Sequence, residues 1–209
     1  MIKGVIFDLD GVIVSTDQLH YKSWKRMADK EHIYFDDTIN HRLRGISRMA
    51  SLDIILEIAQ KKYTDQEKLE LAKYKNDYYV TLLEELSEKD ILPGVMNILE
   101  ILKRMNIKIA IGSSSRNAKK ILKNIGLFDT FEAISDGTNI SKSKPDPEVF
   151  LKAAKMLNIS PSESAVVEDA LSGIEAAKNA GMTAFATGDA KSSPIKDYDF
   201  EDLLEICKK

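Results

Sequence analysis

The chain is 209 residues long, room for a full hydrophobic core in one domain or two, and carries a formal charge of −3. That charge excludes nucleic acid or an acidic membrane as its main partner, and no stretch is apolar for long enough to span a bilayer. The single Cys207 has no intramolecular disulfide partner, which suits a reducing cytoplasm, and the opening Met-Ile-Lys-Gly run reads as no signal peptide because Asp8 and Asp10 cut its apolar stretch short.

Residues 4 to 11, Gly-Val-Ile-Phe-Asp-Leu-Asp-Gly, organise the rest. Val5, Ile6 and Phe7 run without polar alternation, as a strand buried on both faces does. Asp8 and Asp10 follow at an offset that puts both carboxylates on one side of an extended chain. Like charges that close ask for a cation between them or a proton on one. Asp-Gly between apolar runs is also a hairpin signal, and this stretch alone leaves both readings open.

From Thr16 to about Leu86 the pattern is helix after helix. Trp24, Met27 and Ala28 share one face, with His20 a turn earlier, and Leu52, Ile55, Leu56 and Ala59 form a second stripe. Thr64 with Glu67 reads as a capping box opening a third helix, lined by Ala72, Tyr79, Leu83 and Leu86. Lys75 and Asn76 interrupt that stripe, so they either line a cleft or turn to water. Pro93-Gly94 marks a boundary, beyond which helices and strands alternate, with strands expected at 109–111, 133–134, 165–167 and 183–187. Cys207 lies with Phe200, Leu203 and Leu204 at helical spacing, as a packed thiol. The expected fold is α/β, a Rossmann-like parallel sheet core with an inserted all-helical cap domain. The core takes residues 1–15 and 88–209, and the cap 16–87.

In an open parallel sheet the site lies at the carboxyl ends of the strands. After the first strand come Asp8 and Asp10. After 109–111 come Gly112, Ser113, Ser114, Ser115, Arg116 and Asn117 at the start of a helix, where hydroxyls and free amides suit a phosphate. The third strand leads through Lys142 and Lys144 into Pro145-Asp146-Pro147, and the fourth delivers Glu168 and Asp169. Singly, such residues are N-caps or solvated charges. Together they are the inventory for Mg²⁺-dependent phosphoryl transfer, because Mg²⁺ takes hard oxygen ligands and the reaction needs charge neutralisation and in-line positioning.

Phe7-Asp8-Leu9-Asp10-Gly11, the Ser113 strand end, Lys144-Pro145-Asp146-Pro147 and Glu168-Asp169 with Gly173 downstream resemble the four motifs of the haloacid dehalogenase superfamily of phosphotransferases. The resemblance implies Asp8 as nucleophile, Asp10 as general acid and base, and Ser113 and Lys144 as holders of the transferring oxygens. It also implies Mg²⁺ among Asp8, the Asp10 carbonyl, Glu168 and Asp169. Within the helical insert, Leu43-Arg44-Gly45-Ile46-Ser47-Arg48 followed by Ser51-Leu52 is similar to the substrate-specificity segment of the β-phosphoglucomutase family. His20 with Trp24, Lys75-Asn76-Asp77 and Ser114-Ser115-Arg116-Asn117 fit the same family. The similarity covers nearly the whole chain and fades after about Gly188. Three departures stand out: Ser15 where relatives often have Asp in the hinge, Met49 in place of a common acid, and Arg116 in place of a common Lys.

That family interconverts β-D-glucose 1-phosphate and β-D-glucose 6-phosphate through the 1,6-bisphosphate. The resemblance therefore implies small sugar phosphates as the partners of a monomeric cytoplasmic enzyme. His20, Trp24, Gly45, Ile46, Ser47, Arg48, Lys75, Ser115, Arg116 and Asn117 are the expected substrate-binding residues, and Thr16 lies in the expected hinge. Arg48 with Ser115, Arg116 and Asn117 is the natural clamp for the phosphate that is not reacting, since guanidinium matches phosphate bidentately. Without the family, Arg48 reads as a solvated charge at a helix start. A sugar-phosphate phosphatase on the same scaffold is the alternative. A non-catalytic phosphate receiver uses similar residue types but leaves the helical insert unexplained.

Overall fold

The computed structural model describes residues 1–208. Strands β1 (Gly4–Phe7), β2 (Lys108–Gly112), β3 (Ala133–Ser135), β4 (Ser164–Glu168), β5 (Thr183–Ala186) and β6 (Tyr198–Asp199) form one parallel sheet of order β3-β2-β1-β4-β5-β6. β1 pairs in parallel with both β2 and β4, so the Asp-Gly turn after it closes no hairpin. The chain runs outward from β1 in one direction through β2 and β3, then returns to its other side for β4. This reversal opens a crevice at the carboxyl ends of β1 and β4.

Period-two alternation sorts the strand side chains onto two faces. Val5, Phe7, Ile109, Ile111, Ala165 and Val167 pack with α5 (Val95–Arg104), α6 (Ala118–Asn124) and the last helix, α9 (Leu203–Ile206). Ile6, Ala110, Val166 and Ala184 face the other way, onto α7 (Glu148–Leu157) and α8 (Leu171–Asn179). Each such side chain taken fully from water contributes about 1.5–3 kcal/mol, which is why the strands tolerate no polar residue until their ends. Cys207 is buried in the first of these layers, and burial pushes its thiol up to about 11.

Between β1 and α5 lie only helices: α1 (Asp17–Lys30), α2 (Asp37–His41), α3 (Arg48–Leu56), α4 (Asp65–Leu83) and a 3-10 turn at Glu88–Asp90. Trp24, Met27, Leu52, Ile55, Leu71 and Ala72 form a core of their own. α4 opens on the expected capping box of Thr64 and Glu67 and ends at Leu83, so Leu86 lies past it. Its second half, Tyr79 and Leu83, packs into the layer of α5 and α6 rather than the helical core. The backbone crosses twice between these parts, at Val14 and Ile91, which form an antiparallel bridge, and Leu92 N–H donates to Ile13 C=O at 2.9 Å. No described helix is long and apolar enough to cross a membrane.

Candidate active site

At the crevice between β1 and β4 a cavity of about 650 Å³ opens beneath the helical insert. Asp8, Glu168 and Lys144 form its floor, with side chains 10%, 1% and 2% exposed. Lys144 Nζ donates to Asp8 Oδ1 at 2.5 Å and to Glu168 Oε1, while Ala170 N–H donates to Glu168 Oε2 at 2.9 Å. Burial depresses the Lys144 ammonium, but the two carboxylates outweigh it and hold the proton on. Burial raises Glu168 against the pull of Lys144, and burial with the charges of Glu168, Asp8 and Asp10 pushes Asp169 up to about 8.

Carboxylate oxygens of Asp8, Glu168 and Asp169 lie within 4.8 Å of one another. One ammonium does not neutralise three converging carboxylates, and a buried charge without a partner costs several kcal/mol. The set therefore fits a small hard cation with oxygen ligands. Two glycines make the fit possible. A methyl group on Gly11, whose φ is +79°, would stand 2.1 Å from Asp169 Oδ2, and one on Gly173 would stand 2.0 Å from the Glu168 carboxyl carbon.

Asp10 is turned away from this cluster. Its Oδ1 accepts from Thr16 N–H at 2.7 Å and its Oδ2 from the Thr16 hydroxyl, which itself accepts from Tyr79 O–H at 3.0 Å. Enclosure, opposed by the Thr16 bonds, pushes Asp10 up to about 6, with the charges of Asp8 and Asp17 adding to the rise. His20 Nε2 stands 3.7 Å from Asp10 Oδ2, and His20 Nδ1 accepts from Lys75 Nζ at 2.9 Å, which leaves the imidazole proton on the nitrogen facing Asp10. Burial, then the charges of Lys75 and Arg48, keeps that imidazole neutral. Lys75 itself is buried, over the rings of Trp24 at 4.8 Å and Tyr79 at 4.3 Å. Of the two readings of the interrupted stripe, Lys75 and Asn76 line the cleft.

The far wall is cationic. Arg48 opens α3, with Ser47 Oγ as its N-cap accepting from Ala50 N–H at 3.2 Å. It is half-buried and lines the cavity beside Arg116, and burial together with that second charge lowers its pKa. The solvated reading of Arg48 is set aside on that ground. After β2 two short steps follow: Ser115 N–H donates to Ser113 Oγ at 3.1 Å, and Asn117 N–H to Ser115 Oγ at 3.2 Å. Asn117 Nδ2 then donates to Asn76 Oδ1 on α4 at 3.0 Å.

All the expected catalytic, metal and substrate residues border this one cavity, with Trp24, Gly45 and Ile46 among them, and Thr16 lies buried directly behind Asp10. Among the bordering residues not singled out from the sequence are Asp17 and Asn40, and Tyr79 takes part as a hydroxyl donor. Tyr79 read only as a core residue, because helical spacing reports burial and not where a phenol points. Ser15, one of the departures, is exposed at the rim.

The model of the haloacid dehalogenase-like hydrolases matches residues 2–181. A β-phosphoglucomutase from Bacillus subtilis is 48% identical over 200 residues, covering 95% of this chain and 88% of that protein. A phosphorylated carbohydrates phosphatase from Thermotoga maritima is 32% identical, over 87% of this chain and 82% of its own. Among solved structures, a β-phosphoglucomutase from Clostridium difficile superimposes with a TM-score of 0.92 at 40% identity, over 100% of this chain and 98% of that one. With acids, hydroxyl and ammonium at four neighbouring strand ends, this chain belongs to the haloacid dehalogenase-like hydrolase family.

Proposed function

We propose that the chain is a phosphotransferase that interconverts β-D-glucose 1-phosphate and β-D-glucose 6-phosphate through the 1,6-bisphosphate, with Asp8 carrying the phosphoryl group in between. One observation carries this reading: the cavity has two anion-binding ends. At one lie Asp8, Ser113 and Lys144, and at the other Arg48 and Arg116 face the same space. A monophosphate needs only the first, whereas a sugar bisphosphate that turns round needs both. The 48% identity to a β-phosphoglucomutase supports the same substrate.

In this reading the Asp8 carboxylate attacks phosphorus, the bond from phosphorus to the sugar oxygen breaks with its electron pair leaving on that oxygen, and Lys144 and Ser113 hold the transferring oxygens. Asp10, poised at about 6 by enclosure, moves a proton at the reacting sugar hydroxyl in either direction near neutral pH. Thr16 holds that carboxyl through both of its oxygens at the edge of the cavity, and the Lys75–His20 pair faces it from the insert. Asp8, Glu168, Asp169 and the Asp10 carbonyl would hold Mg²⁺, which when bound supplies charge neutralisation at the phosphoryl oxygens. The insert, 16–87, acts as a cap that turns about the linkers at 14–16 and 90–94 and keeps water from phospho-Asp8.

A second reading, a sugar-phosphate phosphatase, has the Thermotoga maritima relative in its favour. The two part at the product. Incubated with Mg²⁺, β-glucose 1-phosphate and trace 1,6-bisphosphate, the protein is expected to form glucose 6-phosphate; free phosphate in its place would assign the phosphatase.

A further inference from the structure

We propose that Asp189 is a positioning residue that sets how phospho-Asp8 divides its phosphoryl group between sugar and water; this rests on the phosphotransferase reading above. Asp189 lies in the 3-10 turn Gly188–Ser192, beyond β5. That turn is fastened to the acidic loop of the site: Thr187 N–H donates to Glu168 C=O and Ala190 N–H to Asp169 C=O, both at 2.8 Å. From this anchored turn Asp189 reaches the insert. Its Oδ2 accepts from Arg44 Nη1 at 2.6 Å and lies 3.6 Å from His41 Nε2. Arg44 Nη2 donates at 3.1 Å to Asp17, the first residue of α1 and next to Thr16.

Arg44 leads directly into Gly45 and Ile46, which border the cavity, and Gly45 C=O accepts from Ser172 Oγ at 3.4 Å. The guanidinium thus ties the loop over the cavity both to the hinge and to the sheet. Asn117 Nδ2 donates to Asn76 Oδ1 at 3.0 Å nearer the middle of α4, whereas Asn124 Nδ2 to Leu83 C=O at 2.7 Å and Lys120 to Glu84 sit at the end of α4 that runs into the second linker. Rotation about the linkers strains those last two little. It separates Arg44 from Asp189.

When the cap stands open, water reaches the phosphoenzyme. Its oxygen bonds to phosphorus, the bond from phosphorus to the Asp8 carboxylate oxygen breaks with its electron pair returning to Asp8, and the water proton passes to Asp10. The product is inorganic phosphate. The Arg44 and Asp189 side chains are 36% and 53% exposed, so the pair is screened and biases the closed state by only about two- to five-fold. A bias of that size lets product leave between turnovers.

The test primes full-length protein with Mg²⁺ and acetyl phosphate, adds β-glucose 1-phosphate, and reads the ratio of free phosphate to glucose 6-phosphate at low and high NaCl. Asp189→Asn is expected to raise the phosphate share about two- to five-fold and to remove its dependence on salt, which the parent shows. Arg44→Gln should do the same, the double variant no more than either, and Asp189→Glu should return the share toward that of the parent. An unchanged share in Asp189→Asn, a salt dependence it keeps, or additive effects in the double variant would overturn the role of Asp189. A parent that makes no glucose 6-phosphate at all would instead overturn the phosphotransferase reading.

Discussion

Lys75 buries an ammonium group against two rings and a neutral imidazole, with no carboxylate hydrogen-bonded to it among the described residues. Burial, then the charge of Arg48, lowers its pKa well below the ordinary lysine value. The unfolded chain binds that proton up to about pH 10.4, the folded one resists it, so stability rises with pH through the window between the two pKa values. Lys75→Met, which keeps the volume and removes the charge, is therefore expected to stabilise the protein at pH 7 by about 1–4 kcal/mol while lowering sugar turnover. Its melting-temperature advantage should shrink as pH approaches 10. A variant less stable than the parent at pH 7 would mean that Lys75 holds the fold together. Lys75 was only half legible in the sequence, because a lysine on an apolar stripe reads equally as a stem lying along the surface. Asp8 and Asp10 were legible only together with Ser113, Lys144, Glu168 and Asp169 at the other strand ends, because alone their stretch reads equally as a hairpin.

At the scale of elements, α3 has one decisive end. Ser47 caps it, and the next residue, Arg48, faces the cavity beside Arg116. If Arg48 clamps the phosphate that is not reacting, Arg48→Ala removes charge-assisted hydrogen bonds worth about 1.5–3 kcal/mol each. Apparent affinity for the sugar phosphate and bisphosphate should fall about ten- to a hundred-fold or more, while acetyl phosphate still phosphorylates Asp8 near the parent rate. Equal loss in both assays would make Arg48 structural, and loss in neither would make it a bystander. Most elements follow from periodicity alone, including the helices at Val95–Arg104 and Glu148–Leu157. β6 does not, because two residues, Tyr198 and Asp199, are too few to carry a pattern. β5 also stops at Ala186, one residue short of the expected 183–187, where Thr187 N–H turns to bond Glu168 C=O. The C-terminal segment is likewise broken, with a 3-10 turn at Phe200–Asp202 before Leu203–Ile206, although Cys207 packs as its spacing predicts.

For the whole molecule, the parallel sheet and the helical insert were readable because strand and helix alternate only after Pro93-Gly94, while β1 stands alone before it. The division of α4 between two cores was not, since one apolar stripe serves either neighbour. Nor was the Arg44–Asp189 tie, which joins residues 145 apart through exposed charges that leave no periodic trace. In the proposed function a single carboxylate takes phosphate from one end of a sugar and returns it to the other. The most direct measurement primes the protein with isotopically labelled acetyl phosphate, removes the donor, and locates the label by peptide mass spectrometry before and after β-glucose 1-phosphate is added. The label is expected on Asp8, to leave it for glucose bisphosphate and then glucose 6-phosphate, and to be absent from a folded Asp8→Asn variant. Label on another residue, or label that leaves Asp8 only as inorganic phosphate in the presence of sugar, would contradict the account.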